Sequence, residues 1–291
     1  MSAAPPVSVC LPVYNGERYL TETLLSVRAQ TFGDLEIVLS DNASTDATAE
    51  ICREHAAADP RIRYVRHEMN RGGLWNFNEA IRLARGETVK LAAADDVLRP
   101  RFLEVCVAAL DEGGPQVVLA YPRTQIIDGE GTITEDLHDE GLRGDRATPH
   151  ERIAEVLRAQ AAHLVFGLYR TDVLRTTRGL RPTIGNDVVV LTEMACRGRF
   201  ALVPEQLFLQ RRHATQFSAQ GARQVQFHAP GKNVRFDFPH ARLAGELWSA
   251  VTSSRLRAEE SVRSLAAVTT NWVLPRWRGV AGDVRRAVTG R

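Results

Sequence analysis

"VSVCLPVYNGERYL", Val7 to Leu20, decides the architecture. The apolar run Val7–Val13 is too short for a buried helix and reads as a strand enclosed on both faces. "YNGERYL" turns the chain, and an amphipathic stretch through Gln30 predicts a helix. The same order then repeats. "LEIVLSD" (Leu35–Asp41) is a second strand, and "NASTDATAEICREHAAADP" opens a helix with Ser44, Thr45 and Asp46 as capping candidates. "IRYVRHE" is a third strand. "LWNFNEAIRLARG" has helical spacing at Leu74, Phe77, Ala80, Ile81 and Ala84 and stops at Gly86. "TVKLAAA" is a fourth strand, "PRFLEVCVAALDEGG" a helix and "VVLAYPRTQIID" a fifth strand. Alternation of this kind predicts an α/β fold, with a mainly parallel central sheet flanked by helices.

Regularity falls away between Asp128 and Arg181, where "DGEGTITEDLHDEGLRGDRATPHE" is turn-rich and acidic. A helix is expected near Glu151–Ala162, and "HLVFGLYRTDVL" reads as strand, then helix. "DVVVLTEMACRGRFALVPEQLFLQRRH" reads as a helix, a strand and a return strand. From about Arg242 the chain is helical, with Trp248, Trp272 and Trp277 among many arginines.

Composition bounds the function. The 291 residues are 44% hydrophobic and 25% charged, as in ordinary globular proteins. A formal net charge of +2 gives no support for a nucleic-acid partner. Cys10, Cys52, Cys106 and Cys196 are scattered with no CxxC pair, the usage of a reduced compartment. "MSAAPPVSV" lacks a signal-peptide pattern, and no apolar run reaches the ~20 residues of a membrane span, so a cytoplasmic location is expected.

Ligands of open α/β sheets collect beyond the carboxyl ends of the strands. Tyr14, Asn15 and Glu17 follow the first strand, Asp41 and Asn42 the second, and Asp95 and Asp96, in "KLAAADDVLRP", the fourth. A pocket with several carboxylates suits a divalent metal or a ligand rich in hydrogen-bond donors. A dinucleotide cofactor would need a glycine-rich first turn, and "PVYNGERYL" carries Gly16 alone. Each of these residues also has a purely structural reading: Asp41 as a turn residue, Asp95 and Asp96 as a turn before Pro100, and Glu17 as an early-helix acid.

Taken in order, "VSVCLPVYNGERYL", "LEIVLSDNASTDATAE", "NRGGLWNFNEAIRLARGE" and "LAAADDVLRP" resemble family 2 glycosyltransferases of the GT-A fold. "FGLYRTDVL", "NDVVVLTEMACRGRF" and "RRHATQFS" extend the resemblance over roughly residues 7–218. It implies a single Rossmann-like GT-A domain over 1–220, with a nucleotide-binding half about 7–127 and an acceptor half about 128–220, followed by a helical extension over 221–291. It also implies inverting transfer of a sugar from a nucleotide diphosphate, with Mn²⁺ or Mg²⁺, to a glycan, lipid-linked or small-molecule hydroxyl. Cell-surface polysaccharide or glycoconjugate synthesis is the expected setting, with a natural-product pathway as the alternative.

On this resemblance Pro12, Val13 and Tyr14 hold the base, with Asn15, Glu17 and Asn42 beside them. Asp41 accepts the N–H of a uracil-like base, which favours UDP. Asp95 lies near the ribose and Asp96 on the metal. Asp187, in "IGNDVVVLTEMACRGRF", is the implied base, although a lone Asp before an apolar run is also an ordinary N-cap. His213 is a further metal or phosphate contact, or part of a solvated basic patch, and Arg211 and Arg212 pair with phosphate oxygens. Two positions depart from the pattern: Ala93 stands at the first Asp of the metal motif, and Asn186 at a common Glu. They leave a nucleotide-sugar-binding protein without catalysis as a competing reading. The arginine- and tryptophan-rich tail reads either as a helix packed on the domain or as a peripheral contact with the inner face of the cell membrane.

Overall fold

The computed structural model describes residues 4–137, 142–159, 162–213 and 238–289. Residues 214–218 of "RRHATQFS" and 221–237 of the extension therefore lie outside the described residues.

The first half follows the expected alternation. Strands β1 (Val7–Val13), β2 (Leu35–Asp41), β3 (Ile62–Arg66) and β4 (Thr88–Leu91) are separated by helices α1 (Leu20–Arg28), α2 (Thr48–Ala58) and α3 (Gly73–Leu83). β1 lies parallel between β2 and β4, Val7 facing Leu35 on one side and Thr88 on the other, and β3 extends the sheet beyond β2. β4 ends at Leu91, three residues before the expected Ala94, so Ala92–Asp96 form a loop above the sheet.

Beyond β4 come β5 (Val97–Leu98), α4 (Phe102–Gly113), β6 (Val117–Ile127), β7 (Ile133–Asp136), α5 (Pro149–Ala159), β8 (Leu168–Arg170), α6 (Thr171–Arg175), α7 (Asn186–Arg197) and β9 (Arg199–Arg211). The sheet runs β3-β2-β1-β4-β8-β6-β9-β5, with β7 on β6. The fifth predicted strand, β6, is thus not the neighbour of β4; β8 lies between them, antiparallel to both, with Tyr169 opposite Val89 and Leu119. The expected return strand within Arg199–Arg211 does not form. One long strand pairs parallel to β6, and its register jumps from Pro122↔Val203 to Arg123↔Gln206. Pro204 and Glu205 are absorbed as a bulge, where a proline costs no ladder hydrogen bond.

Alternate side chains of β1 and β2 enter different cores, as the two-residue period of a strand requires. Val9, Leu11, Ile37 and Leu39 pack with α1 and α4, including Leu24, Phe102 and Leu103. Cys10 and Val38 face a second core with α3, α5 and α7. That second core continues into the C-terminal helices α8 (Pro239–Thr252) and α9 (Ala258–Val268), which contribute Leu247, Val251 and Val268, and into the turn Thr269–Val273, which contributes Trp272. A short turn, Leu274–Arg276, leads to α10 (Trp277–Thr289). Asp283 of α10 is fully buried and accepts the N–H groups of His240 and Ala241 at 2.6 and 2.9 Å, capping α8 from another helix.

Polar ties fix this junction. The buried Glu193 of α7 accepts from Arg178 Nε at 2.6 Å and Arg178 N at 2.8 Å, while Arg178 Nη1 reaches Glu246 and Ser249 of α8. Removing Glu193 strips the Arg178 guanidinium of its buried carboxylate and backbone anchor and leaves Glu246 as its remaining acidic partner. Glu193→Ala is therefore expected to lower unfolding free energy by about 3–5 kcal/mol, measured by denaturant titration. A change within about 0.5 kcal/mol, the range of an ordinary surface substitution, would contradict this role.

Candidate active site

Two polar groups form at the carboxyl ends of the strands. The first joins the turns that follow β1 and β2. Asn15 N donates to Ser44 Oγ, Thr45 N to Asn15 Oδ1, Gly16 N to Thr48 Oγ1, Glu17 N to Asp46 Oδ2 and Ala47 N to Glu17 Oε2. Glu17 therefore braces the entry to α2 and precedes α1 rather than lying in its first turn. Asn15 adopts φ 50°, in the left-handed region that asparagine tolerates. Of the capping candidates, Asp46 accepts from Thr48 N at 3.0 Å and Ser44 serves β1's turn instead.

Asp41 lies beneath these turns with no exposed surface. Its Oδ1 accepts from Ser44 N at 2.8 Å, its Oδ2 from Tyr64 Oη at 2.9 Å, and Arg66 Nε stands 3.4 Å away. A base N–H reaches this carboxylate only if one of those partners yields or shares. Asn42 is turned toward the next crossover, bonding Asn70 Oδ1 and Arg71 N. Pro12 and Val13 are internal to β1, opposite Ser40 and Asp41, so their side chains are part of the sheet. The Tyr14 ring is 36% exposed, open for stacking on a flat ligand.

The second group gathers around the loop after β4. Asp95 Oδ2 lies 3.1 Å from His213 Nε2, which the end of β9 carries back across 118 positions of chain. Asp96 is buried and its Oδ1 accepts the N–H of Arg211 at 2.9 Å. Burial, and then the charge of Asp95 beside it, push the Asp96 carboxyl well above the usual carboxylate range. His213 rests against the Tyr19 ring, centroids 4.9 Å apart.

Arg211 and Arg212 fare differently from a phosphate-binding pair. The Arg211 guanidinium is buried, donating to Asp95 O, Asp128 O and Glu22 Oε2 and stacking on Tyr19 at 4.6 Å. It is a strut that holds the Asp95–Asp96 loop to β9 and α1. Arg212 is half-exposed and paired with Glu135 at 2.8 Å, on the β7 side.

Lys90 is the residue that sequence reasoning passed over. It lies inside the fourth predicted strand and is a fully buried lysine whose Nζ donates to Leu91 O at 2.5 Å. The rings of Phe102, Phe208 and Phe166 surround that ammonium at 4.9, 5.0 and 5.6 Å. Burial lowers its pKa to about 7 against the opposing pull of Asp96, so this ammonium gives up its proton far more readily than an exposed lysine. One signal existed: a lysine inside an otherwise apolar strand, six residues before Asp96.

Asp187 lies in the first turn of α7 and its Oδ1 accepts the N–H of Val188 at 2.9 Å. Gly185, two residues before it, adopts φ 78°, a left-handed conformation that strains any residue with a Cβ. Burial lifts the Asp187 carboxyl above its usual range, although a helix N-terminus favours the charged form. Its charge is felt by Tyr169 of β8, the strand beside β4. Asn186 Nδ2 reaches Thr183 O at 3.4 Å, a contact within its own turn.

A match to the family described as Glycosyl transferase family 2 covers residues 8–175, more than half of the chain and all of β1–β4 but Val7. The chain belongs to that family. Among its relatives, chondroitin synthase of Escherichia coli is 36% identical over 135 residues, which are 46% of this chain and 19% of that protein. The chain spans less than two thirds of the length of the first curated relatives it matches. Solved structures share the fold at lower identity. TarS of S. aureus, in complex with UDP-GlcNAc, superposes with a TM-score of 0.67 at 18% identity, covering 95% of this chain and 79% of that one. A mannosyltransferase of Pyrobaculum calidifontis, with GDP-Man and Mn²⁺, has a TM-score of 0.54 at 19% identity, covering 100% and 77%. These likenesses place the GT-A-like fold of this family 2 glycosyltransferase over nearly the whole chain, C-terminal helices included.

The donor set of this family 2 chain fits a divalent metal in type. Two adjacent carboxylates and an imidazole supply oxygen and nitrogen ligands. Among the described residues no three His, Cys, Asp or Glu side chains already surround one point. Hard metals in phosphate chemistry need only one or two protein carboxylates, with substrate phosphates and water completing the shell.

Proposed function

We propose that the chain transfers a sugar, with inversion, from a nucleotide diphosphate sugar to a hydroxyl of a glycan, lipid-linked or small-molecule acceptor. One observation carries the reading: Asp95 bonds His213, 118 positions away in sequence, while Asp96 beside it accepts the N–H of Arg211, so the loop after β4 is brought to the end of β9 in a family 2 chain. Asp96 and His213 would hold Mn²⁺ or Mg²⁺, which when bound neutralises charge on the departing nucleotide diphosphate. Asp95 bonds His213 and can turn to the ribose. Tyr14 presents its ring to the base. UDP is the favoured carrier, on the acceptor carboxylate of Asp41 and the UDP-GlcNAc complex of the TarS neighbour. Asp187 accepts the proton of the incoming hydroxyl as that oxygen attacks the anomeric carbon, and the bond to the diphosphate breaks on the opposite face.

The test is a thermal-shift screen of nucleotide sugars with and without Mn²⁺. A ligand at a hundred times its Kd adds about 2.7 kcal/mol to stability, a rise of several degrees. UDP-sugars are expected to give that rise only with metal, and absence of any shift with every nucleotide sugar would overturn the proposal. Ala93, where a second metal carboxylate is common in the family, favours binding without turnover as the second reading. Release of UDP in the presence of an acceptor separates the two.

A further inference from the structure

The two C-terminal tryptophans have opposite environments. Trp272 is buried in the core, whereas Trp277 is 57% exposed one turn and a half later. Trp277 is not isolated. From α9 through α10 the solvent side carries Val262, Ala266, Leu274, Trp277, Ala281 and Val284, with steps of three and four from Leu274 onward. That spacing lays them along one face.

The opposite face cannot roll over to hide them. Trp272 and Val280 pack into the core, a Cβ on Gly279 would lie 2.9 Å from His240, and Asp283 caps α8. Around Leu274–Val284 the exposed charge has one sign, whereas Glu259, one turn before Val262, is exposed and paired with Arg263. Arg278 and Arg285 are exposed beside the apolar stripe, and Arg278 lies over the Trp277 ring at 5.6 Å. After Glu260 the one acid in the remaining sequence is Asp283, which is buried and paired with Arg286. No helix among the described residues is long and apolar enough to cross a membrane.

We propose that this face docks on an anionic lipid surface. Leu274, Trp277 and Val284 enter the headgroup boundary, and Arg278 and Arg285 meet lipid phosphates. An aromatic at the water–lipid boundary, an apolar stripe and flanking arginines are the elements of a helix lying in the membrane plane. A protein partner of mixed charge would leave the uniformly basic flank without a match, which sets lipid ahead of it.

The test is co-sedimentation of the full chain with vesicles of phosphatidylcholine, with or without phosphatidylglycerol, and needs no turnover. The full chain is expected to sediment with the phosphatidylglycerol vesicles at low salt and to be released as salt rises. Leu274→Ser with Trp277→Ser should weaken that binding by about tenfold or more, and Arg278→Gln with Arg285→Gln should remove its salt dependence. Unchanged circular dichroism and melting confirm that both variants fold. Wild-type protein that stays in the supernatant overturns the proposal, as does binding that both variants retain. Self-association that the serine variant abolishes, without vesicle binding, would assign the face to a second copy and also overturn it.

Discussion

Replacing Asp187 with asparagine is expected to lower kcat by about 10²–10⁴-fold, the usual contribution of a positioned general base. The fold should be unaffected, because the Asp187 side chain answers only the N–H of Val188 among the bonds described above, and an asparagine Oδ1 can accept the same donor. The pH profile gives a second readout. Burial raises the Asp187 pKa, so the proton-accepting form is lost as pH falls through a value above the ordinary carboxylate range. The acid limb of kcat/KM should therefore lie higher than for an exposed aspartate, and the residual activity of the variant should lack that limb. Full activity in the asparagine variant removes Asp187 from the reaction.

Asp96→Asn is expected to abolish metal-dependent stabilisation by UDP-sugars and to lower turnover by about a hundredfold or more, since metal stabilisation of developing phosphate charge supplies several kcal/mol. Asparagine is the informative choice. It keeps an oxygen for the N–H of Arg211 at 2.9 Å, so the loop stays tied to β9. It also removes the charge that Lys90 faces and the like-charge conflict with Asp95. Melting temperature without ligand should hold or rise, while the increment from Mn²⁺ with nucleotide sugar disappears. Equal increments in wild type and variant would take Asp96 off the metal.

The parallel half of the sheet was legible because each strand there is a short apolar run followed by a helix with its own period, and such units close locally. β8 was not legible as the neighbour of β4: its three residues Leu168–Arg170 pair with partners about 50 and 80 positions earlier, and no local pattern encodes that. The continuity of β9 through Pro204 was not legible, since the bulge opposite Pro122 and Arg123 that accommodates the proline exists only in the pairing with β6. Within the site, the carboxylates at Asp95 and Asp96 could be found from the chain alone, because charge at the tip of a buried strand has few structural uses. Arg211 could not. Two consecutive arginines look solvated, and only the pairing of β9 with β6 turns one of them inward toward Glu22 and the backbone of Asp95. Lys90 was hidden for the opposite reason, since its long stem lets it pass for part of an apolar strand.

The continuous core between α7 and the C-terminal helices also limits how this chain can be recombined. Leu247 and Val251 share one core with Val189, Val190 and Met194, and Glu193 is anchored through Arg178 to α8. Asp187 lies in the first turn of that same α7. A chimera that borrowed its last helices from another relative would disturb the floor on which the proposed base stands. Exchange of acceptor preference between relatives by swapping the tail alone would thus carry an activity penalty, unless the facing residues of α7 travel with it.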